Sequence, residues 1–535
     1  MTLYDADGLR RHDVSLIECS LKVVDLDHPP EYYCLSYTWG APAKYGPLGN
    51  SLVCPILCNG EVLHVTENLY CFLRRLRDLS TLCHRTFWID AICVNQQDKK
   101  ERSDQVRLMA DIYTSASMVV SWLGEEDKHT QPGFVWLRKL KAVSDHSPHN
   151  LSRLANFAPD SWLSVANIFQ RTYFTRAWII QEVVLAKAVK VLCGRQEIEW
   201  SAIAEASHFL STLFLDRGEF QLGTEEFLGT HTLLLYLLIK ARSFEATDPR
   251  DKVYSLLGLV HDYARCKPGL APSYKADETQ APAIAYIRAA IDILEDSDDL
   301  LLLSCVEGEA FQKLSTGPLP SWVPDWSARE PTGLRVTGYE RYSTSMSLKQ
   351  QAHIDKTSLT LSLRGIKLDY VTMVGEAKRD VLLEKPFPKW LEIIETLETR
   401  YGPARNEHKL DVLWRTLIVN TAGCPPELVS KTPQVSEFVR PFTLSQHLRL
   451  FRTNEGYLGL GSECLQAGDS VWIVPGSRVP LILRPHKVEM SSANRCRLVG
   501  GTYLHGFMEG AAVSPAFTGK TMSEIEASME AFVLV

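Results

Sequence analysis

Over the first two hundred positions, short apolar runs alternate with stripes of apolar residues spaced three and four apart. The runs read as buried strands and the stripes as helices packed by one face. Residues 14–26 alternate polar and apolar and predict a first strand; 32–37 predict a second, ending at Trp39 and Gly40. Runs at 52–57 and 62–65 flank Asn59 and Gly60, a pair suited to a tight hairpin turn. Thr66, Glu67 and Asn68 then start a helix whose stripe is Leu69, Phe72, Leu73 and Leu76. A strand over 86–94 comes next, then a helix over 99–115 with Val106, Met109, Ala110 and Tyr113 inward. A strand over 118–123 ends at Gly124. Further helices are expected at 131–143, 160–172 and 174–187, and a hairpin at 189–200.

This alternation predicts an α/β fold, with parallel strands joined by right-handed crossovers and helices flanking the sheet. In such sheets ligands sit outside the carboxyl ends of the strands. Tyr37, Trp39, Asp90, Asn95 and Gly124 are therefore expected around one cleft. Residues 1–200 form the first domain, and 201–316 read as mainly helical. There Asp248, Pro249, Arg250 and Asp251 supply an N-cap, a first-position proline and a first-turn acid. Pro and Gly gather at 317–333, and 317–439 reads as a linker and mixed α/β region. From 440 to 535 short β-like runs alternate with glycine-rich turns, predicting a small β-barrel-like domain with Gly456, Gly461, Gly468 and Gly506 at turns.

Composition narrows the function classes. At 535 residues the chain exceeds what one core organises. A net charge of −7 without a long basic run argues against a nucleic-acid partner. The opening residues show no secretory pattern, and the richest apolar run, 233–239, falls far short of the ~20 residues of a membrane span. The 13 cysteines are odd in number and scattered, as expected of reduced core thiols. The sequence thus predicts a soluble, cytoplasmic protein with no membrane span.

Several residues carry candidate chemistry. Asp98 and Glu101 open the 99–115 helix and read as a cap or as catalytic acids. Arg102 and Gln105, one turn apart, would orient an anion or simply solvate the helix. Asp90, Asn95 and Gln96 crowd the mouth of one apolar strand, where they hold a neighbouring loop or line a pocket. Cys93 reads as a core thiol, because no His lies near it in sequence to activate it. Cys54, Cys58 and His64 lack a second close ligand pair, so no metal is predicted. Glu182 is the sharpest candidate: a carboxylate in an apolar helix, with Trp178 one turn away on the same face. Arg176 is its structural partner if the carboxylate is merely buried.

Three blocks carry a resemblance: Tyr33 to Gly40, Phe87 to Gln97, and Trp178 with Gln181 and Glu182. In this order they closely resemble the core signature of the heterokaryon incompatibility (HET) domain of fungi, over about residues 32–183. Weaker agreement runs through Asp248 to Lys252 and Trp322 to Ser327, and the tail from Gly456 resembles the carboxyl-terminal region of long HET proteins. The resemblance implies a role in allorecognition and the cell death that follows, through a protein partner or self-association. HET domains are also regarded as distant relatives of TIR domains, which implies a TIR- or flavodoxin-like sheet. Some TIR domains hydrolyse NAD through a Glu in a Trp-x-x-x-Glu helix, and Trp178 to Glu182 has that spacing. On this reading Glu182 is catalytic, and Tyr37, Trp39, Gly40, Asp90, Asn95, Gln96, Arg102 and Trp178 bind NAD as substrate, with no cofactor required. Two readings stay open: a nucleotide-consuming enzyme, and a non-enzymatic assembly module.

Overall fold

A computed structural model describes residues 2–4, 16–42, 52–79, 81–144, 159–214, 230–260, 268–274, 281–306, 308–309, 319–328, 342–398, 400–401, 407–422, 427–428, 438, 442–443, 446–486 and 494–535. The chain divides into two units, Met1–Leu215 with Phe244–Glu278, and Asp216–Ser243 with Thr279–Val535. Both mix helix and sheet, and among the described residues no helix is long and apolar enough to cross a membrane.

The first unit is built on a five-stranded sheet in the order Phe87–Trp88, Tyr33–Tyr37, Met118–Trp122, Val189–Cys193, Gln196–Glu199. The first four strands are parallel and the last is an antiparallel hairpin partner. Strand Tyr33–Tyr37 is buried throughout, because helices cover both faces of a parallel sheet. Side chains alternate along it. Tyr33, Leu35 and Tyr37 pack with Leu69, Phe72, Leu73 and Leu76 of helix Glu67–Asp78. Cys34 turns the other way, toward Met109, Ile112 and Tyr113 of helix Lys99–Ser115.

Three expectations are corrected here. The apolar run 86–94 is not one strand: pairing stops at Trp88, and Asp90–Cys93 is a single helical turn. Ile89 and Ile92, three apart, are both buried by that turn, and a short apolar run suits either period. Residues 14–26 contribute only Glu18–Ser20, which joins a separate four-stranded sheet with the Leu52–Cys58 and Glu61–Thr66 hairpin. Asn59 and Gly60 turn that hairpin with positive φ at both positions, 53° and 82°, as its type I′ geometry requires. The segment Phe244–Glu278, taken with the following helical region in sequence, is part of the first unit.

In the second unit, strands Ser470–Ile473, Leu481–Pro485, Arg495–Gly501 and Glu530–Leu534 pair in turn, and Thr360–Ala377 closes the ring by pairing with both ends. Long strand Thr360–Ala377 comes from the stretch read as linker, so the β-rich unit begins well before residue 440. It reaches past the ring to pair with Leu448–Thr453 as well. Gly456, Gly468 and Gly506 have positive φ, whereas Gly461 lies inside strand Leu458–Ser462.

Gly124 ends the central strand of the first unit with φ +95°, and a Cβ there would lie 2.4 Å from the Cβ of Pro42. Gly124→Ala is therefore expected to destabilise the first unit by about 2 kcal/mol or more, read as a lower urea midpoint. An unchanged midpoint would show that the Pro42 loop yields freely.

Candidate active site

The Trp178–Val184 helix follows a 3-10 turn, Thr172–Thr175, and brings Glu182 behind the sheet, where it is 2% exposed. Ser36, on the inward face of strand Tyr33–Tyr37, donates a hydrogen bond to Glu182 Oε2. Arg176 Nη2 lies 3.5 Å from Oε1. The Tyr173 hydroxyl sits 2.9 Å from Ser36 Oγ and donates to Ser121 Oγ at 2.8 Å. Ser36 and Ser121 are register partners on adjacent strands. The hydroxyls thus tie two strands, the 3-10 turn and the helix to one carboxylate.

Asp90 approaches from the helical turn. Its Oδ1 accepts from the Ala91 amide at 2.7 Å, and its Oδ2 from the Trp39 indole at 2.9 Å. Burial, the largest effect, and Glu182 push its carboxyl up from 3.8 to about 6, against the pull of Arg176. Arg176 serves both acids. Burial alone would lower its pKa, but Glu182 and Asp90 hold it above the ordinary value. Among the described residues Arg176 Nη1 is buried without a hydrogen-bond partner, as is Thr38 Oγ1. The loop after Trp39 is pinned by Thr172, whose amide donates to Pro42 O and whose hydroxyl donates to Ala41 O. That fixes Gly40 beside the 3-10 turn.

The structure brings together Trp39, Gly40, Asp90 and Glu182, and Gln96 joins through its amide on the Asp90 carbonyl at 3.0 Å. Tyr37 is 1% exposed within the core, so neither face of its ring is open for stacking. Asn95 is exposed and caps its own turn, accepting from the Gln97 amide at 3.1 Å. Asp98 accepts from the Lys100 and Glu101 amides, and Glu101 accepts from the Asn95 amide, so these acids hold the helix start. Burial raises the Cys93 thiol, which keeps it un-ionised.

Trp178 and Arg102 belong to a second cluster. The Trp178 indole donates to Asp251 Oδ2 at 3.1 Å, and the Tyr274 hydroxyl donates to Oδ1. Arg102 lies 3.9 Å from Asp251 and stacks over the Tyr274 ring at 3.8 Å. Burial first, and Asp248 beside it, raise the Asp251 carboxyl to about 6, against its hydrogen bonds and Arg102.

Sequence reading missed Ser36, Ser121, Tyr173 and Asp251 as members of these clusters. The usable signal was a lone serine in each of two otherwise apolar, sheet-adjacent strands.

Fold and site together define a parallel α/β domain with a buried acid–arginine–hydroxyl cluster, followed by a β-barrel unit. Residues 32–182 match the family model described as heterokaryon incompatibility protein (HET), and residues 437–516 match the Het-6 beta-barrel domain. Over these two segments the chain is similar to HET-type proteins. It is 24% identical to heterokaryon incompatibility protein 6, OR allele, of Neurospora crassa, across 92% of this chain and 91% of that protein. No solved structure matches it.

Asp90 and Asp251 set a pH dependence. Both carboxyls titrate near 6 when folded against 3.8 in the reference state. Between those values the folded protein holds protons that the unfolded chain releases, so their contribution is present at low pH and lost as pH rises through about 6. Asp90→Asn and Asp251→Asn, which cannot ionise, are expected to gain melting temperature relative to wild type as pH rises from about 4 to 6.5. A difference that stays flat across this range would contradict the assignment.

Proposed function

We propose that this chain acts in heterokaryon-incompatibility allorecognition in the cytoplasm, and that its HET domain works as a signalling module that triggers cell death through protein contacts, self-association included. The HET and Het-6 barrel matches and the likeness to the Neurospora protein support the first part. The second rests on one observation: Glu182 is 2% exposed, with its two oxygens committed to Ser36 and Arg176. A buried carboxylate paired in this way holds elements together, and using it on a substrate would first require breaking both contacts.

A second reading, NAD cleavage of the TIR kind, is favoured by different atoms. The unpartnered Arg176 Nη1 offers a donor to a ligand oxygen beside Asp90 and Trp39. The Trp178 to Glu182 spacing matches the helix motif of NAD-cleaving TIR domains. Breaking the nicotinamide–ribose bond develops oxocarbenium charge, which a nearby carboxylate stabilises. On that reading Glu182 would be catalytic once freed.

Glu182→Gln separates the two. Gln still accepts from Ser36 but leaves Arg176 with Asp90 alone, so stability is expected to drop by about 1–3 kcal/mol. At a temperature where the variant is folded, the module reading expects cell killing near wild type and no nicotinamide released from NAD, with or without a crowding agent. Nicotinamide release by wild type that falls on the order of 100-fold in the variant would establish the enzyme instead.

A further inference from the structure

The helix that carries Glu182 has seven residues and no side-chain N-cap. A helix that short does not hold itself. Its fastenings come from a segment some seventy residues further along the chain, outside the HET match. The Ala177 amide donates to the Glu245 carbonyl at 2.8 Å, and the Glu245 amide donates to Thr175, forming a parallel bridge at Arg176. Trp178 donates to Asp251. The Gln181 amide spans the Ala110 N–H and the Ser255 carbonyl, 3.0 Å each, and is 1% exposed. Gly258 lies so close that a Cβ would lie 2.6 Å from the end of the Gln181 side-chain amide. Every residue of helix Asp251–Leu257 is buried.

The connectivity of this segment gives the fastening its consequence. The chain leaves the first unit, passes through Asp216–Ser243 in the second, returns for Phe244–Glu278, and leaves again. Just before the return, Arg242 is fixed inside the second unit by donating to the carbonyls of Ala328, Asp325 and Cys305 at 2.9, 3.1 and 3.2 Å. Two residues later Phe244 packs against the core of the first unit. One residue, Ser243, separates the two anchors.

The geometry points to a strap: residues 244–258 clamp the Trp178–Val184 helix, and the second unit, joined covalently to both ends of Phe244–Glu278, controls that helix by loading or releasing the strap. A change sensed in the second unit reaches the Ala177, Trp178 and Gln181 contacts through the backbone at Ser243–Phe244. Freeing these contacts loosens the turn that seats Glu182 against Ser36 and Arg176. The strap holds the helix alike under both readings of Glu182.

Hydrogen exchange on the full chain tests this without any assay of activity. Trp178→Phe keeps the packing and removes the donor; amides 178–184 are expected to exchange about tenfold faster while strand Met118–Trp122 is unchanged. Tyr274→Phe, which loosens Asp251 and leaves Trp178 intact, gives the same local signature should Trp178→Phe fail to fold. The decisive variant is Arg242→Ala, which removes the donors to Ala328, Asp325 and Cys305 of the second unit. It is expected to speed exchange at 178–184 by about threefold or more, again sparing Met118–Trp122. Unchanged exchange at 178–184 in Arg242→Ala, or a uniform rise across the first unit, would overturn the strap and leave plain packing.

Discussion

One buried charge organises the first unit. Glu182 sits behind the sheet with almost no solvent contact, where an isolated carboxylate would be costly. Arg176 supplies the opposing charge and Ser36 the hydrogen bond, and through Tyr173 the network reaches Ser121 on the next strand. Because each partner comes from a different element, the carboxylate is satisfied only when strand Tyr33–Tyr37, strand Met118–Trp122, the 3-10 turn and the Trp178–Val184 helix are all in place. Removing any one partner leaves a buried polar group exposed to its full desolvation cost. Such a network favours a single arrangement over a merely compact one.

Asp90 adds a second acid to the same arginine, and the arrangement is strained electrostatically in a specific sense. Burial, with Glu182 nearby, raises Asp90 to about 6 against the pull of Arg176, within reach of modest acidification. The one-turn helix at Asp90–Cys93 makes this possible, because it stops the strand early and rolls Asp90 toward the Trp39 indole. Continuing the strand to Val94 would have alternated the polar groups across the two sheet faces. The loop after Trp39 is then closed over the site by Thr172 and by Pro42 packed on Gly124.

The second carboxyl cluster has the same physical character at a different place. Asp251 is buried, raised, and shared between Trp178, Tyr274 and Arg102. Here the cationic groups Arg102 and Arg250 flank the Tyr274 ring from 3.8 and 4.8 Å, so aromatic and charged contacts fasten the returning segment. The two clusters grip opposite ends of one short helix. That shared grip joins a segment outside the HET match to the helix that carries Glu182, the last residue of the match.

The sequence by itself determined the mixed α/β character of the fold, the likeness of two segments to the HET and Het-6 barrel families, and the identity of Glu182 as the residue in the most unusual setting. These were legible because they rest on local facts: the alternation of apolar runs and stripes, the Asn59–Gly60 turn, and three ordered blocks of residues. Arg176 could be named as the alternative partner because it lies six positions from Glu182. Only the tertiary structure decided that Asp90 leaves the strand, that Tyr37 is sealed in the core, and that Trp178 turns to Asp251. It alone showed that Thr360–Ala377 closes the barrel and that Phe244–Glu278 returns to the first unit. Each of those depends on partners far away in sequence. The direction of a side chain follows from which distant group satisfies it, and no period or spacing along the chain encodes that choice.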